Sequence, residues 1–547
     1  MKLRTLFSLC IGGFALTALA QGGYQDGVDY YNADRLEKAK IILEKTLNDP
    51  STNKAVSYFY LGSLDLRDGN TQGAQTNFNN GISANPEYGY NYVGLGEIAL
   101  KGGNKSEAEK LFKQALNTDK KDAALLAAVA RAYANVDPVA YTKEINKYIA
   151  EGLKKSKNKE PQIYVLQGDL AKDEDKGLAA GYYEQAIIYE EENGDVNPEA
   201  YVKYSNLYNK VNSEFCIGKL VELNEKLPNS ALAQSELAEK YYDNNQLTMA
   251  AEQYEKYILN PNHFKKDKQR LVGLMFFAKR YPESYDLASE ILREEPDNHF
   301  MQRLQFYNKK ALGEKEAAKA AAEALFSNSG AQINSQDYIQ YGELLQDMGC
   351  DTAAVEMYEK AVALSPDKTS MLKDLSGAYS SAKMYDKAAD TMAKFIESEG
   401  DNANPNDVLG LARRYQNLAI SYMETDSVAS LAAADKALAT IGKVIEKVSD
   451  NPLVLNTKSD ILRVKARGVI TPEVIAADEV TLGVLDSDPA NLEKRKNIYR
   501  AIYTRMGNYY LTNKDMDKAK DYFEKFYQIE PSEELRTFID GLGAPAK

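Results

Sequence analysis

The sequence predicts an all-α fold, a solenoid of stacked antiparallel helix pairs, from three observations. Between Tyr58 and Lys120 one pattern occurs twice at a spacing of 34 residues: Tyr58 and Tyr92, Leu61-Gly62 and Leu95-Gly96, Ala74 and Ala108, Phe78 and Phe112. The apolar positions recur three and four residues apart, which lines one face of a helix. Pro86 then closes the pattern, because proline has no amide donor with which to continue a helix. A helical glycine costs roughly 1 kcal/mol relative to alanine. Repeating that cost at Gly62 and Gly96 makes sense where backbones approach closely, so Gly62 is expected against Ala74 and Gly96 against Ala108.

Taken in order, the chain opens with Lys2 and Arg4, an apolar run from Leu6 to Leu16, and Ala18-Leu19-Ala20 before Gln21. Residues 1–20 therefore read as a secretory signal peptide, and the apolar run is shorter than the roughly 20 residues a membrane span needs. Cys10 lies mid-run, where it does not provide a lipoprotein anchor. The first pair follows from Tyr24 to Pro50, with Gly27, Tyr30 and Ala39 in register. After the two units described above, the fourth starts at Ala130 and Tyr133, loses register at Asp137-Pro138 and resumes at Tyr141. Lys154 to Lys159 is a basic connector, read as a solvated loop.

Gly168, Ala179 and Tyr183 mark the fifth unit, Tyr201, Tyr204 and Tyr208 the sixth, and Ala238, Tyr241, Ala250 and Tyr254 the seventh. Two weaker units run through Leu271 and Ala288, then through Phe306 and Ala318. Two clear ones follow, carrying Tyr341-Gly342, Ala354 and Tyr358, then Leu375, Tyr379 and Ala388. Glu397 to Asn406 is rich in Asn, Asp and Gly and is the best candidate for a boundary or bend, dividing an array over 21–400 from a more irregular one over 401–547. The last clear unit holds Gly507, Ala519 and Phe523. Ser532 then caps a short helix with Leu535, Phe538 and Ile539 on one face, closing the stack. The total is about 13–14 units.

Composition narrows the function. Lys and Arg total 67 against 80 Asp and Glu, a net charge of −13, which argues against nucleic acid as the main partner. No later stretch is apolar enough to span a bilayer. Cys216 and Cys350 fall several helix layers apart, beyond the roughly 7 Å reach of a disulfide, so two buried free thiols are expected. His263 and His299 each follow a unit-ending proline and read as helix-start residues, not a metal pair. No cysteine or histidine cluster has zinc spacing, and no phosphate loop or nucleophile elbow is present. The acidic residues are dispersed, so no catalytic residue, cofactor or metal site is expected, and the chain reads as no enzyme. The 38 tyrosines, with no tryptophan, largely occupy packing offsets, as Tyr183, Tyr254 and Tyr358 do.

A 34-residue helix-turn-helix unit with small and aromatic residues at these offsets resembles the tetratricopeptide (TPR) repeat. The resemblance implies a right-handed superhelix whose first helices line a concave groove. Carried over offset by offset, the groove would present Phe59, Tyr90, Val93, Glu97, Arg131, Asp169, Asn206, Glu239, Tyr242, Glu343, Gln346, Lys373 and Asn508. Family members that hold a chaperone tail do so with a Lys and an Asn four residues apart. Val93 and Glu97, Ile339 and Glu343, and Lys373 and Gly377 stand at those positions here, so that clamp is missing. The implied function is a non-enzymatic protein–protein interaction scaffold, binding an extended peptide or helix of a partner in the groove. With the signal sequence this places it in the cell envelope, most plainly the periplasm, with a protein or peptide partner, no nucleic acid and no integral membrane span. The alternative is a glycan-binding component of an outer-membrane nutrient uptake system. Starch-uptake binding proteins are similar in length and in carrying such repeats, but are lipid-anchored with aromatic sugar platforms. An acylation signal and tryptophan are both missing here.

Overall fold

The computed structural model describes residues 23–208, 212–487 and 492–542. The signal sequence expected at 1–20 lies outside them. Among the described residues are 29 α-helices, one short 3-10 turn and no strand. Consecutive helices pack as fourteen antiparallel pairs followed by a single last helix. The fold is an all-α solenoid.

The turn within most pairs has a repeated local cause. One residue takes a left-handed backbone just before the second helix: Gly69 (φ 80°) and Gly103 (φ 78°), and in the same place Asp34, Asn245, Lys279 and Lys383. Glycine does this without steric cost and the others accept a small one. The next residue caps the helix. The side chains of Asn70 and Asn104 accept the amides of Gly73 and Glu107, satisfying a donor the helix leaves unpaired.

The glycine at the eighth position of a unit makes room for an aromatic ring. A Cβ built on Gly62 would lie 2.6 Å from the Phe78 ring, one on Gly96 2.4 Å from Phe112, and one on Gly168 2.4 Å from Tyr183. The close partner expected was Ala74 or Ala108. Both alanines are fully buried, but the group that needs the missing methyl is the ring four residues further on.

The chain divides into two compact units, 1–296 and 297–547. In the first, α1 (Tyr24–Asn32) pairs with α2 (Leu36–Thr46), α3 (Lys54–Arg67) with α4 (Thr71–Ala84), and α5 (Tyr90–Lys101) with α6 (Lys105–Thr118). α7 (Ala124–Val136) and α8 (Thr142–Ser156), α9 (Pro161–Ala171) and α10 (Lys176–Glu192), and α11 (Pro198–Tyr208) and α12 (Ser213–Lys226) continue the series. α13 (Ala231–Asp243) with α14 (Leu247–Tyr257) and α15 (Lys265–Phe277) with α16 (Tyr281–Glu294) complete it.

This unit curls back on itself. α1 touches α11 and α13, and the first hairpin is fastened there by side chains far apart in sequence. Arg35 donates two hydrogen bonds, of 2.6 and 2.7 Å, to the buried carboxylate of Glu236. Tyr30 shares hydrogen bonds with Ser235 (3.2 Å) and Tyr257 (3.4 Å), and Tyr257 donates to Asp267 (2.8 Å). Asn262 donates to Asp26 at 2.7 Å, and the Lys38 ammonium stands over the Phe264 ring. An open groove is what the repeat pattern predicts; here the inner faces of the first seven pairs close into a ring.

The second unit contains six pairs from His299–Ala311 to Met516–Ile529, then the last helix Glu533–Gly541. Ser532 caps that helix by accepting the Leu535 amide, and Ile539 is fully buried, as expected. The segment 397–406 lies inside this unit, where a 3-10 turn over Gly400–Asn402 leads to Pro405 at the start of Pro405–Tyr422. The extra residues after Thr425 lengthen the next helix, Ser427–Lys447, to 21 residues. Below them Arg505 is buried with a bidentate pairing to Asp478 (2.6 and 2.8 Å) and bonds to Asp460 and Asn456. The expectation for the thiols holds in part: Cys216 is buried, but Cys350 is exposed, because it occupies the turn before Asp351–Leu364.

Candidate functional site

Ring closure gathers the inward faces of α1, α3, α5, α7, α9 and α11 around a cavity of about 620 Å³. Each helix contributes through the residues its turns direct inward. α3 supplies Val56, Phe59, Tyr60, Ser63 and Arg67, and α5 with its leading loop supplies Tyr88, Tyr90, Val93 and Glu97. α7 supplies Arg131 and Asn135 together with Ala124, Ala127, Ala128 and Ala132, whose small side chains leave the volume unfilled. Gln162, Asn197, Glu199 and Lys203 complete the far side of the chain order.

The aromatic part is a contiguous cluster. Tyr88 and Tyr90 stack with centroids 5.0 Å apart, Phe59 meets Tyr90 edge-on at 5.6 Å, and Tyr31 meets Tyr60 at 5.0 Å. Burial raises the hydroxyl pKa of Tyr60, Tyr88 and Tyr90, so at neutral pH these groups remain protonated donors.

The charged part is internally paired. Arg67 donates to Asp34 at 2.9 Å and lies over the Tyr31 ring. Arg131 and Lys203 both hold Asp169, at 2.6 and 2.7 Å, and Lys203 also reaches Glu199 at 2.9 Å. Burial opposes ionisation of Asp169, yet Arg131 and Lys203 outweigh it and hold the carboxyl well below its usual range. Glu97 differs. It accepts a hydrogen bond from the Asn135 amide at 3.2 Å, and burial pushes its pKa up to about 6. The arrangement therefore offers ring faces, amides and one titratable acceptor in a shell whose ion pairs are already made. Among the described residues, no group of three or more His, Cys, Asp or Glu is placed to hold a metal ion.

The residues expected on the groove separate. Phe59, Tyr90, Val93, Glu97 and Arg131 converge on the cavity, and Asp169 stands behind it as the shared partner of Arg131 and Lys203. Asn206 is exposed. Glu239 accepts from the Tyr254 hydroxyl and from Arg270, and Arg270 also covers the Tyr242 ring. In the second unit Glu343 pairs with Lys310, Gln346 accepts from Tyr358, Lys373 pairs with Asp407, and Asn508 is exposed. Most of the lining escaped the offset rule, Tyr31, Arg67, Tyr88 and Lys203 among it. The rule samples four positions per first helix, whereas Tyr88 lies in a connecting loop and the others were brought inward by closure.

Models of the tetratricopeptide repeat match residues 65–132, 338–368 and 501–533. The chain carries tetratricopeptide repeats in these three segments. Its TPR units make it a protein-interaction scaffold, and among the described residues no helix is long and apolar enough to cross a membrane. Similar solved structures include the C-terminal part of a TPR repeat-containing protein from Cytophaga hutchinsonii, at 17% identity over 49% of this chain and 98% of that one, with a TM-score of 0.40. The human IFIT1 dimer with PPP-AAAA is similar at 13% identity over 85% and 96%, with a TM-score of 0.29. The APC/C hetero-tetramer Cut9-Hcn1 is similar at 12% identity over 80% and 95%, also with a TM-score of 0.29. No curated protein sequence matches the TPR chain.

Proposed function

We propose that this TPR protein is a non-enzymatic scaffold of the cell envelope that holds an extended peptide or helix of a partner protein along the first helices of its repeats. The observation that carries the reading is the state of those helices in the second unit. Lys373 and Asn508 are exposed, and Glu343 and Gln346 are half-buried, so an elongated segment can reach the Asn508 amide and the partly exposed Lys373–Asp407 pair. In the first unit the same offsets converge on a single cavity of about 620 Å³ instead of running along an extended face. Helix-in-groove and extended-peptide recognition both need this kind of continuous, accessible inner surface. The envelope location rests on Lys2, Arg4 and the apolar run before Ala20.

Photoreactive residues placed singly at Lys373 and Asn508 in living cells test the reading. A single envelope protein should crosslink at both, and not at Glu356, which is exposed on a second helix. Equal capture at Glu356 would remove the groove assignment. Recovery of the mature chain in the cytoplasmic fraction would remove the location.

A further inference from the structure

The interior of the first unit carries chemistry that a peptide-holding surface does not require. We propose that the cavity enclosed by α1, α3, α5, α7, α9 and α11 is a binding site for a neutral carbohydrate of one or two rings. The site lies in the first unit, whereas the scaffold reading rests on the second, so neither depends on the other.

Size comes first. The cavity of about 620 Å³ falls within the range of about 300–1,000 Å³ typical of small-molecule sites. Contact of the first hairpin with α11 and α13 bounds the inward surface on that side, and the mouth opens past Asp34, Lys101 and Asn135, so a ligand of one or two rings can enter and be held. The space is also built to stay open: Ala124, Ala127, Ala128 and Ala132 line it where any larger side chain on α7 would project into it.

Charge decides the next step. Arg67, Arg131 and Lys203 each already contact a carboxylate, through Asp34, Asp169 and Glu199. Lys101 also lines the cavity but is exposed at its rim, so an anionic ligand seated deeper would have to draw Arg67, Arg131 or Lys203 away from a partially desolvated pair, leaving a carboxylate without its partner. A cationic ligand is attracted by Glu97, but Arg67, Lys101 and Arg131 surround that carboxylate and oppose a further positive charge. A neutral ligand leaves these ion pairs in place.

The polar groups that remain select among neutral ligands. Gln25, Asn32, Ser63, Asn135, Gln162 and Asn197 all line the cavity; Gln25, Ser63, Asn135 and Gln162 each donate one bond to the protein, to Asp29, the Phe59 carbonyl, Glu97 and Glu199, and keep their oxygens as acceptors. A hydroxyl can donate to such oxygens, so a ring carrying several hydroxyls can satisfy several of these groups at once. Glu97, held by one amide, accepts a further donor. The half-buried Phe59, Tyr88 and Tyr90 rings supply apolar faces against which the C–H face of a sugar can lie.

The test uses the purified mature chain on an array of neutral, acidic and amino glycans, followed by calorimetric titration of the strongest binder. N-acetyl-phenylalaninamide serves as a neutral peptide probe. At least one neutral mono- or disaccharide should bind, with acidic and amino analogues at least about tenfold weaker. Ala128→Phe fills the cavity and Tyr90→Ala removes a ring face; each should weaken binding at least about tenfold, and Phe277→Ala, at an exposed ring outside the cavity, should leave it unchanged. Circular dichroism checks that the variants fold, and if Ala128→Phe does not, Tyr90→Ala decides. Failure of every neutral glycan to bind overturns the proposal. So does binding that survives in a folded variant, equal affinity for a charged analogue, or tighter binding of the peptide probe. Loss of crosslinking at Lys373 and Asn508 would leave the cavity assignment standing.

Discussion

A single hydrogen atom sets the packing of each well-formed repeat. At Gly96 an added methyl carbon would sit 2.4 Å from the Phe112 ring, whereas at Gly181, also helical, nothing lies within 4 Å. Gly96→Ala gains about 1 kcal/mol of helix propensity but must move a fully buried ring, so a net loss of about 1–2 kcal/mol is expected. Gly181→Ala should instead stabilise by up to about 1 kcal/mol. Urea denaturation of both variants checks the pair; the same sign for both would show that the ring contact is not what the glycine serves. Two buried carboxyls make a pH prediction. Burial pushes Asp29 up to about 7, with the Gln25 amide opposing and Asp26 and Glu199 adding to the rise. Burial pushes Glu190 up to about 9 in the same manner, with Glu199 and Asp195 adding to it. Both acids hold a proton more tightly when folded. Their stabilisation is therefore complete below their ordinary values and is lost as pH rises through about 7 and about 9. The melting temperature should fall between pH 5 and pH 9, and Asp29→Asn should flatten the lower part of that slope. Asp169 acts in the opposite sense, but its stabilisation is lost only in stronger acid.

Among the helices, the hairpin α1–α2 has the most to do with the site, because it closes the ring. Its principal fastening is Arg35 on Glu236, whose side chains are 37% and 6% exposed. Arg35→Ala leaves a buried carboxylate without its cation. A fully buried pair costs about 3–5 kcal/mol to break; the partial exposure of Arg35 reduces this to about 2–3 kcal/mol. Tyr30→Phe removes only hydroxyl contacts and should cost about 0.5–1.5 kcal/mol. In hydrogen exchange, Arg35→Ala should speed exchange in α1, α2 and α13 while helices after Asp297 keep their rates. Uniform loss across both units would mean that the hairpin is not a local fastening.

For the full chain, the consequence is that the first unit depends on its own beginning. Deleting residues 24–50 uncovers the fully buried Tyr257, which shares a hydrogen bond with Tyr30, and removes Tyr31 and Asn32 from the cavity wall. Differential scanning calorimetry should show a lower transition for the first unit, and exchange protection should be retained over 297–487 and 492–542. Glycan binding in the cavity should be lost in the same deletion, while crosslinking at Lys373 and Asn508 should persist.

Much of this architecture is visible in the amino-acid order because its causes are local. A 34-residue period, Gly62 and Gly96 beneath aromatic residues, Asn70 and Asn104 as caps, and Ser532 before the last helix all act between neighbours in the chain. The pairs they encode are the pairs observed. What no motif carries is curvature. Each pair turns slightly against the next, and the sum of those turns brings Tyr30 against Ser235, 205 residues away. That closure, not any repeat position, turns Phe59, Tyr90, Val93, Glu97 and Arg131 from groove residues into the lining of one cavity and adds Tyr31, Arg67, Tyr88 and Lys203 to them. Helix formation answers to residues three and four apart, whereas the shape of the interior answers to packing summed over seven pairs.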